Sequence, residues 1–297
     1  MSSNSPNNSG KKEETIVQNI QTAQDRAFYG SKNVHFKKII ADGLEQGEAA
    51  FCECKNITIE DSKILLKYCV WHCHNITLYK TIFDVGCRSS IWYCNNIDIV
   101  NCKINIPKAC RNCINLTLKD CVINSEDFGW KCEGVKIINC KIGGVTSFFD
   151  SSNVNIDESE FNTKYIFQYS DNIKMVNTTN NTKDCFWHGK NVYCKNCKFV
   201  GEFFAWFSEN CVFENCEIEG VMPFCYCKKL KLINCTMPKC DYCFEYSEVD
   251  ANIKGHIPSI RNVLSGKIIV DSYGEYIQEE PVMECKGEVE IRPKEVE

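Results

Sequence analysis

A period of nineteen residues is the property that most constrains this chain. Cys113-Ile114-Asn115-Leu116-Thr117-Leu118-Lys119-Asp120-Cys121-Val122-Ile123 returns as Cys132-Glu133-Gly134-Val135-Lys136-Ile137-Ile138-Asn139-Cys140-Lys141-Ile142. It returns again from Ser151 through Asn153, Val154, Ile156, Glu158 and Ser159 to Phe161. In this frame units start at Ser31, Cys54, Cys73, Cys94, Cys113, Cys132, Ser151, Ser170, Gly189, Ser208 and Cys227, and every step after Cys94 is nineteen residues. A unit this short buries no core alone, so the units have to stack.

Two residues after each start stands an asparagine: Asn33, Asn56, Asn75, Asn96, Asn115, Asn153, Asn172, Asn191 or Asn210, with Gly134 and Lys229 as the exceptions. Asn and Gly share tolerance of positive φ, so this column reads as a sharp corner. Stacked corners also allow amide-to-amide bonding along the axis. Alternating apolar residues follow, such as Ile76 and Leu78 or Leu116 and Leu118, which is the pattern of a half-buried strand. A small residue ends the strand eight after the start, as at Ser62, Thr81, Cys102, Cys121 and Cys140. Two or three short strands per unit, paired to their counterparts about 4.8 Å away, make an all-β, single-stranded parallel β-helix. Eleven such coils predict a rod roughly 50 Å long.

The frame divides the chain. Residues 1–16 are polar and read as a disordered tail, 17–53 as an N-terminal cap with the first coils, and 54–246 as regular coils. Residues 247–278 read as a strand-rich closing cap and 279–297 as a charged, solvated tail. A net charge of −5 without basic clusters excludes a nucleic-acid footprint. No apolar run approaches the ~20 residues of a membrane span, and the first residues lack the apolar core of a signal peptide, so a cytoplasmic protein is expected.

Twenty-three cysteines argue for disulfides or metal at first sight. Twelve of them, however, occupy the start column and the column eight later, where Ser, Thr or Gly substitute. The position asks for a small side chain, and free cysteine behaves as a small hydrophobe. Parallel neighbours at strand spacing are badly placed for a bridge. The pairs Cys110/Cys113, Cys194/Cys197 and Cys240/Cys243 join different columns, so no metal or other cofactor is expected.

All five tryptophans share one slot, two residues before a start: Trp71, Trp92, Trp130, Trp187 and Trp206. Phe149 and Phe244 read into the same slot, which Arg111, Gln168 and Cys225 interrupt. The residue before it is always small or apolar, from Val70 and Ile91 to Phe148, Phe167, Phe186 and Phe224. Neighbours on a strand face opposite sides, so the apolar column goes inward and the tryptophans outward. Two explanations stay open: a stacked ladder that only stabilises the face, or a platform for an extended saccharide or a protein partner. In the second, Arg88, Lys108 and Arg111 stand near the stripe for oxygen or carboxylate contacts. Asp127, Asp184 and Asp241 read as one column three coils apart, too far to act as a pair.

These residues resemble the family known as domain of unknown function 3737. The likeness is carried by Asp25-Arg26-Ala27-Phe28-Tyr29-Gly30, Arg88-Ser89-Ser90-Ile91-Trp92-Tyr93, Pro107-Lys108, Phe186-Trp187 and Phe244-Glu245-Tyr246-Ser247-Glu248-Val249-Asp250-Ala251, and extends through Ser265-Gly266 and Gly274-Glu275. It implies a pectin-lyase-like, right-handed parallel β-helix, and the family has no established activity to carry over. Nineteen residues also miss the eighteen of a left-handed hexapeptide helix. The function expected is a non-catalytic binding or scaffold protein. The alternative is a polysaccharide-active enzyme, a lyase with Lys108 or Arg111 as base or a hydrolase with Asp127.

Overall fold

In-register stacking of like on like builds the molecule. The computed structural model describes residues 15–43, 47–279 and 281–293. On the first face Ile57, Ile76, Ile97, Leu116, Val135, Val154, Ile173, Val192, Cys211 and Leu230 stand one above another through parallel pairings. A second face carries strands such as Val122–Phe128, Lys141–Ser147 and Glu160–Ile166. A third is minimal: Phe51–Cys52 pairs with Val70–Trp71, and single bridges continue it from Trp71 through Trp92 and Arg111 to Trp130. The result is an all-β parallel solenoid of about 14 turns, consistent with a right-handed β-helix.

The asparagine column turns the corner as its composition requires. Its nine asparagines have φ between 53° and 57°, and Gly134 and Lys229 have 68° and 52°. The side-chain amide of Asn56 donates to Asn33 at 2.9 Å, Asn75 to Asn56 at 2.8 Å, Asn96 to Asn75 at 2.9 Å and Asn115 to Asn96 at 2.9 Å. At Gly134 a Cβ would stand 2.8 Å from the Asn115 Oδ1, so the ladder's interruption coincides with a lack of room. A second corner was not recognised from the sequence. Asp61, Lys80, Asn101, Asp120, Asn139, Glu158, Asn177, Asn196, Asn215 and Asn234, seven after each start, also have φ of 47° to 55°. Its Asn and Asp content was the available signal.

The start column asks for more than smallness. The Cys73 thiol donates to the carbonyl of Phe51 at 2.9 Å, Ser151 to Gly129 at 2.9 Å, Ser170 to Phe148 at 2.7 Å and Cys227 to Ala205 at 3.0 Å. Cysteine and serine interchange here because each offers a compact donor to a carbonyl one coil below. The description as a small hydrophobe is therefore incomplete. All 23 cysteines are free thiols, and all but Cys285 are buried. In the reduced native protein Cys285 should react first with an aromatic disulfide reagent, the others only on unfolding. Rapid reaction of many thiols in the folded state would contradict this packing.

Two boundaries and one coil length differ from expectation. Thr15–Gln18, overlapping the supposed tail, pairs with Val34–Lys37, while the rest of that tail lies outside the described residues. Glu288–Ile291, inside the supposed charged tail, pairs with Lys267–Val270 as the last rung, its charged residues alternating with Val289 and Ile291. The final regular step is twenty residues, since the Cys227 amide donates to the Ser247 hydroxyl at 2.8 Å, the bond that Cys132 makes to Ser151. That slip moves Phe244 out of the tryptophan slot and into the core, stacked on Phe224 at 5.6 Å and 3°. Glu245 takes the slot and pairs with Arg261 at 3.1 Å. It also puts Asp241 beside Val221, outside the column of Asp127 and Asp184.

Candidate functional site

The column before the tryptophans is the core: Val70, Ile91, Phe148, Phe167, Phe186 and Phe224 are fully buried, while each tryptophan is half-buried on the outside. Trp71 and Trp92 stack at 5.2 Å and 8°. The Arg111 guanidinium lies 5.2 Å from the Trp92 ring and 5.3 Å from the Trp130 ring, and Trp130 meets Phe149 at 5.2 Å and 38°. Trp71, Trp92, Arg111 and Trp130 thus form one stack, and Trp187 with Trp206 a second pair at 6.0 Å and 50° beyond Gln168. Three of the five indoles are also tied to the backbone, whereas the Nε1 of Trp130 and of Trp187 is buried without a partner among the described residues. Trp71 donates to the Ser89 carbonyl at 2.6 Å, Trp92 to Lys108 at 2.7 Å and Trp206 to Met222 at 2.6 Å.

This geometry restricts what the stripe can hold. Trp92 has Trp71 on one side and Arg111 on the other, so neither face is free for a ligand. Trp130 is covered by Arg111 and Phe149 in the same way. Trp71 differs, because Cys52 fills its slot in the coil below and leaves that side open. A concavity forms there, walled by Trp71, Tyr29, Tyr68, Arg26, Glu48 and Glu53. Arg88 donates to the Tyr68 hydroxyl at 3.1 Å and so braces one wall.

A neighbouring column, one residue before each start, reads in the sequence only as a surface corner shared by His72 and His188, and its aromatic stack is seen only in the structure. Tyr169, His188, Phe207 and Tyr226 stack at 5.0, 5.0 and 4.7 Å with planes within 14° of parallel. His72 and Tyr93 form a shorter stack at 5.1 Å and 7°. Tyr169 is 53% and Phe207 39% exposed, more than the half-buried tryptophans. These residues hold positive φ, and their amides bond to the coil above, Tyr169 to the Trp187 carbonyl at 2.8 Å. The signal was the aromatic and His content of that column, overshadowed by the tryptophans beside it.

Lys108 is exposed in the coil of Arg111, and Asp127 follows in the next. Burial pushes the Asp127 carboxyl up, the charge of Glu126 adds to this, and Lys108 and Arg111 oppose it. Asp184 is pushed up by burial too, and its Oδ1 has no hydrogen-bond partner. Among the described residues no group of three or more His, Cys, Asp or Glu side chains is arranged to hold a metal ion, and no helix is long and apolar enough to cross a membrane.

Stacked parallel coils with an outer aromatic ladder define a β-solenoid repeat protein with a candidate binding face. The chain belongs to the family described as protein of unknown function (DUF3737), whose model matches residues 15–291. No curated protein matches it. Among solved structures it is similar to PfbA, a surface adhesin of Streptococcus pneumoniae, at 9% identity and a TM-score of 0.29, with 91% of this chain and 70% of that chain covered.

Proposed function

We propose that this protein is a non-catalytic binding β-helix that holds an extended saccharide on its outer aromatic face, with the principal subsite under Trp71. The observation that carries this is the asymmetry of Trp71: one face is stacked on Trp92, the other opens onto a concavity with aromatic and charged walls. An apolar ring face with a few convergent polar groups suits a sugar, whose C–H surface packs on the ring while its hydroxyls meet Arg26, Glu48 and Glu53. A reducing, cytoplasmic setting is part of the proposal, supported by the free thiols.

Tryptophan fluorescence titrated with a panel of oligosaccharides tests it. By analogy with bases on aromatic platforms, Trp71→Ala should weaken binding by about 1–3 kcal/mol. Trp187→Ala, in the other block, should change it little. Unchanged affinity in Trp71→Ala would remove the subsite, and capture of a protein with no glycan binding would replace the saccharide by a partner chain.

One observation favours the catalytic alternative, the placement of a carboxyl pushed up by burial, Asp127, in the coil after Lys108 and Arg111. Assays for reducing ends or unsaturated products on the same panel separate the two. Turnover that disappears in Asp127→Asn would overturn the non-catalytic reading.

A further inference from the structure

We infer that Arg111 is an anion-binding residue, held ready between two indoles to take the carboxylate of an acidic saccharide. The inference rests on the saccharide reading and narrows it to one ligand chemistry. The chain has five arginines, at positions 26, 88, 111, 261 and 292. Four have a protein oxygen nearby: Arg26 is 3.9 Å from Asp25, Arg88 donates to Tyr68 at 3.1 Å, Arg261 pairs with Glu245 at 3.1 Å, and Arg292 pairs with Asp271. Arg111 has none among the described residues; its guanidinium contacts are the rings of Trp92 and Trp130.

That placement has a chemical consequence. Aromatic faces attract a cation but accept none of its strong hydrogen bonds, so the guanidinium donors remain unspent. Arg111 is only partly buried, so these donors can be reached from the solvent side of the stack. A side chain clamped between two rings has already lost much of the rotamer freedom that a free arginine gives up on binding. A planar carboxylate, which accepts two parallel N–H bonds, matches the fork better than a point anion does.

The surroundings set the sign. Lys108, three residues earlier, has no carboxylate within ion-pair distance among the described residues and adds positive potential, whereas Lys131 is engaged by Asp150 at 3.6 Å. Asp127 is the opposing group, and Glu126 lies beside it. Removing the Asp127 charge should therefore strengthen anion binding.

The probes are an oligomer of hexuronic acid and its carboxyl-reduced neutral counterpart, titrated into the wild type, Arg111→Lys, Arg111→Gln and Asp127→Asn. The acidic oligomer should bind the wild type roughly tenfold or more tightly than the neutral one, the scale of one or two hydrogen bonds to a charged group. Arg111→Lys keeps the charge and loses the fork, and should remove most of that preference; Arg111→Gln should abolish it, and Asp127→Asn should increase it. Equal affinity of the wild type for both oligomers, or an unchanged preference in Arg111→Lys, overturns the anion site while the saccharide reading stands. Failure of both oligomers to bind folded wild type overturns both.

Discussion

Raising the pH from 8 to 10 in the presence of a reductant should destabilise this protein strongly. Five buried thiols carry the argument: burial pushes Cys52 and Cys211 up to about 11 and Cys87, Cys102 and Cys227 up to about 12, from an ordinary 9.0. Below 9 each is protonated in both states and leaves stability unaltered. Above it the unfolded chain releases the proton while the folded chain keeps it, so stability falls as pH rises toward the folded values. At pH 10 each such thiol costs about 1.4 kcal/mol, one pH unit of differential ionisation, and five together about 7 kcal/mol. That equals the whole stability of many domains, about 5–15 kcal/mol. Burial shifts Cys69, Cys185 and Cys194 the same way and adds to the loss, whereas hydrogen bonds from Cys132 and Cys140 lower Cys113 and Cys121 and oppose it. Urea midpoints followed by far-UV circular dichroism at pH 7.5, 9 and 10 measure it. Cys102→Ser should flatten the slope, because serine does not titrate. A midpoint constant up to pH 10 would show that the thiolates are accommodated in the folded state.

Phe186→Ala should be among the most damaging single substitutions in the core, costing about 3–5 kcal/mol. The ring is fully buried and continues the inner stack of Phe148 and Phe167, lying 5.8 Å from Phe167. It also meets Phe204 at 5.8 Å, Phe199 at 6.0 Å and Phe213 at 6.4 Å, so its loss opens a cavity where rings from successive coils meet. Parallel strands in register leave little room for collapse, since each coil is held by the ones above and below. Trp206→Ala, on the outer side of the same wall, should cost about 2 kcal/mol, a hydrogen bond to Met222 and part of a ring contact. Urea denaturation of the two variants checks the order. A larger loss in Trp206→Ala would mean that the outer ladder, not the inner one, holds the coils together.

The sequence by itself determined the coil length, the asparagine corner and the opposite directions of Phe186 and Trp187. In a parallel stack in register, every structural position recurs once per coil, so a column's demand on its residue is written at period nineteen and survives substitution of Asn by Gly or Ser by Cys. The same logic made the thiol columns readable as small residues. It missed their donor role, because size is visible in a list of substitutions and the carbonyl being bonded is not.

Only the tertiary structure decided what the columns do to one another. The slip of one residue before Ser247 is invisible in a chain whose pattern is fading, yet it carries Phe244 from the surface to the core. Trp71, Trp92 and Trp206 are alike in sequence, and what separates them is which faces are covered: Trp71 has an open side only because Cys52 stands below it. Arg111 looks like an interruption of an aromatic stripe and becomes its cationic member, since the rise between coils puts an indole about 5 Å to either side. Periodicity specifies which residues share a column; the path of the backbone fixes which neighbours cover each ring and which faces remain open.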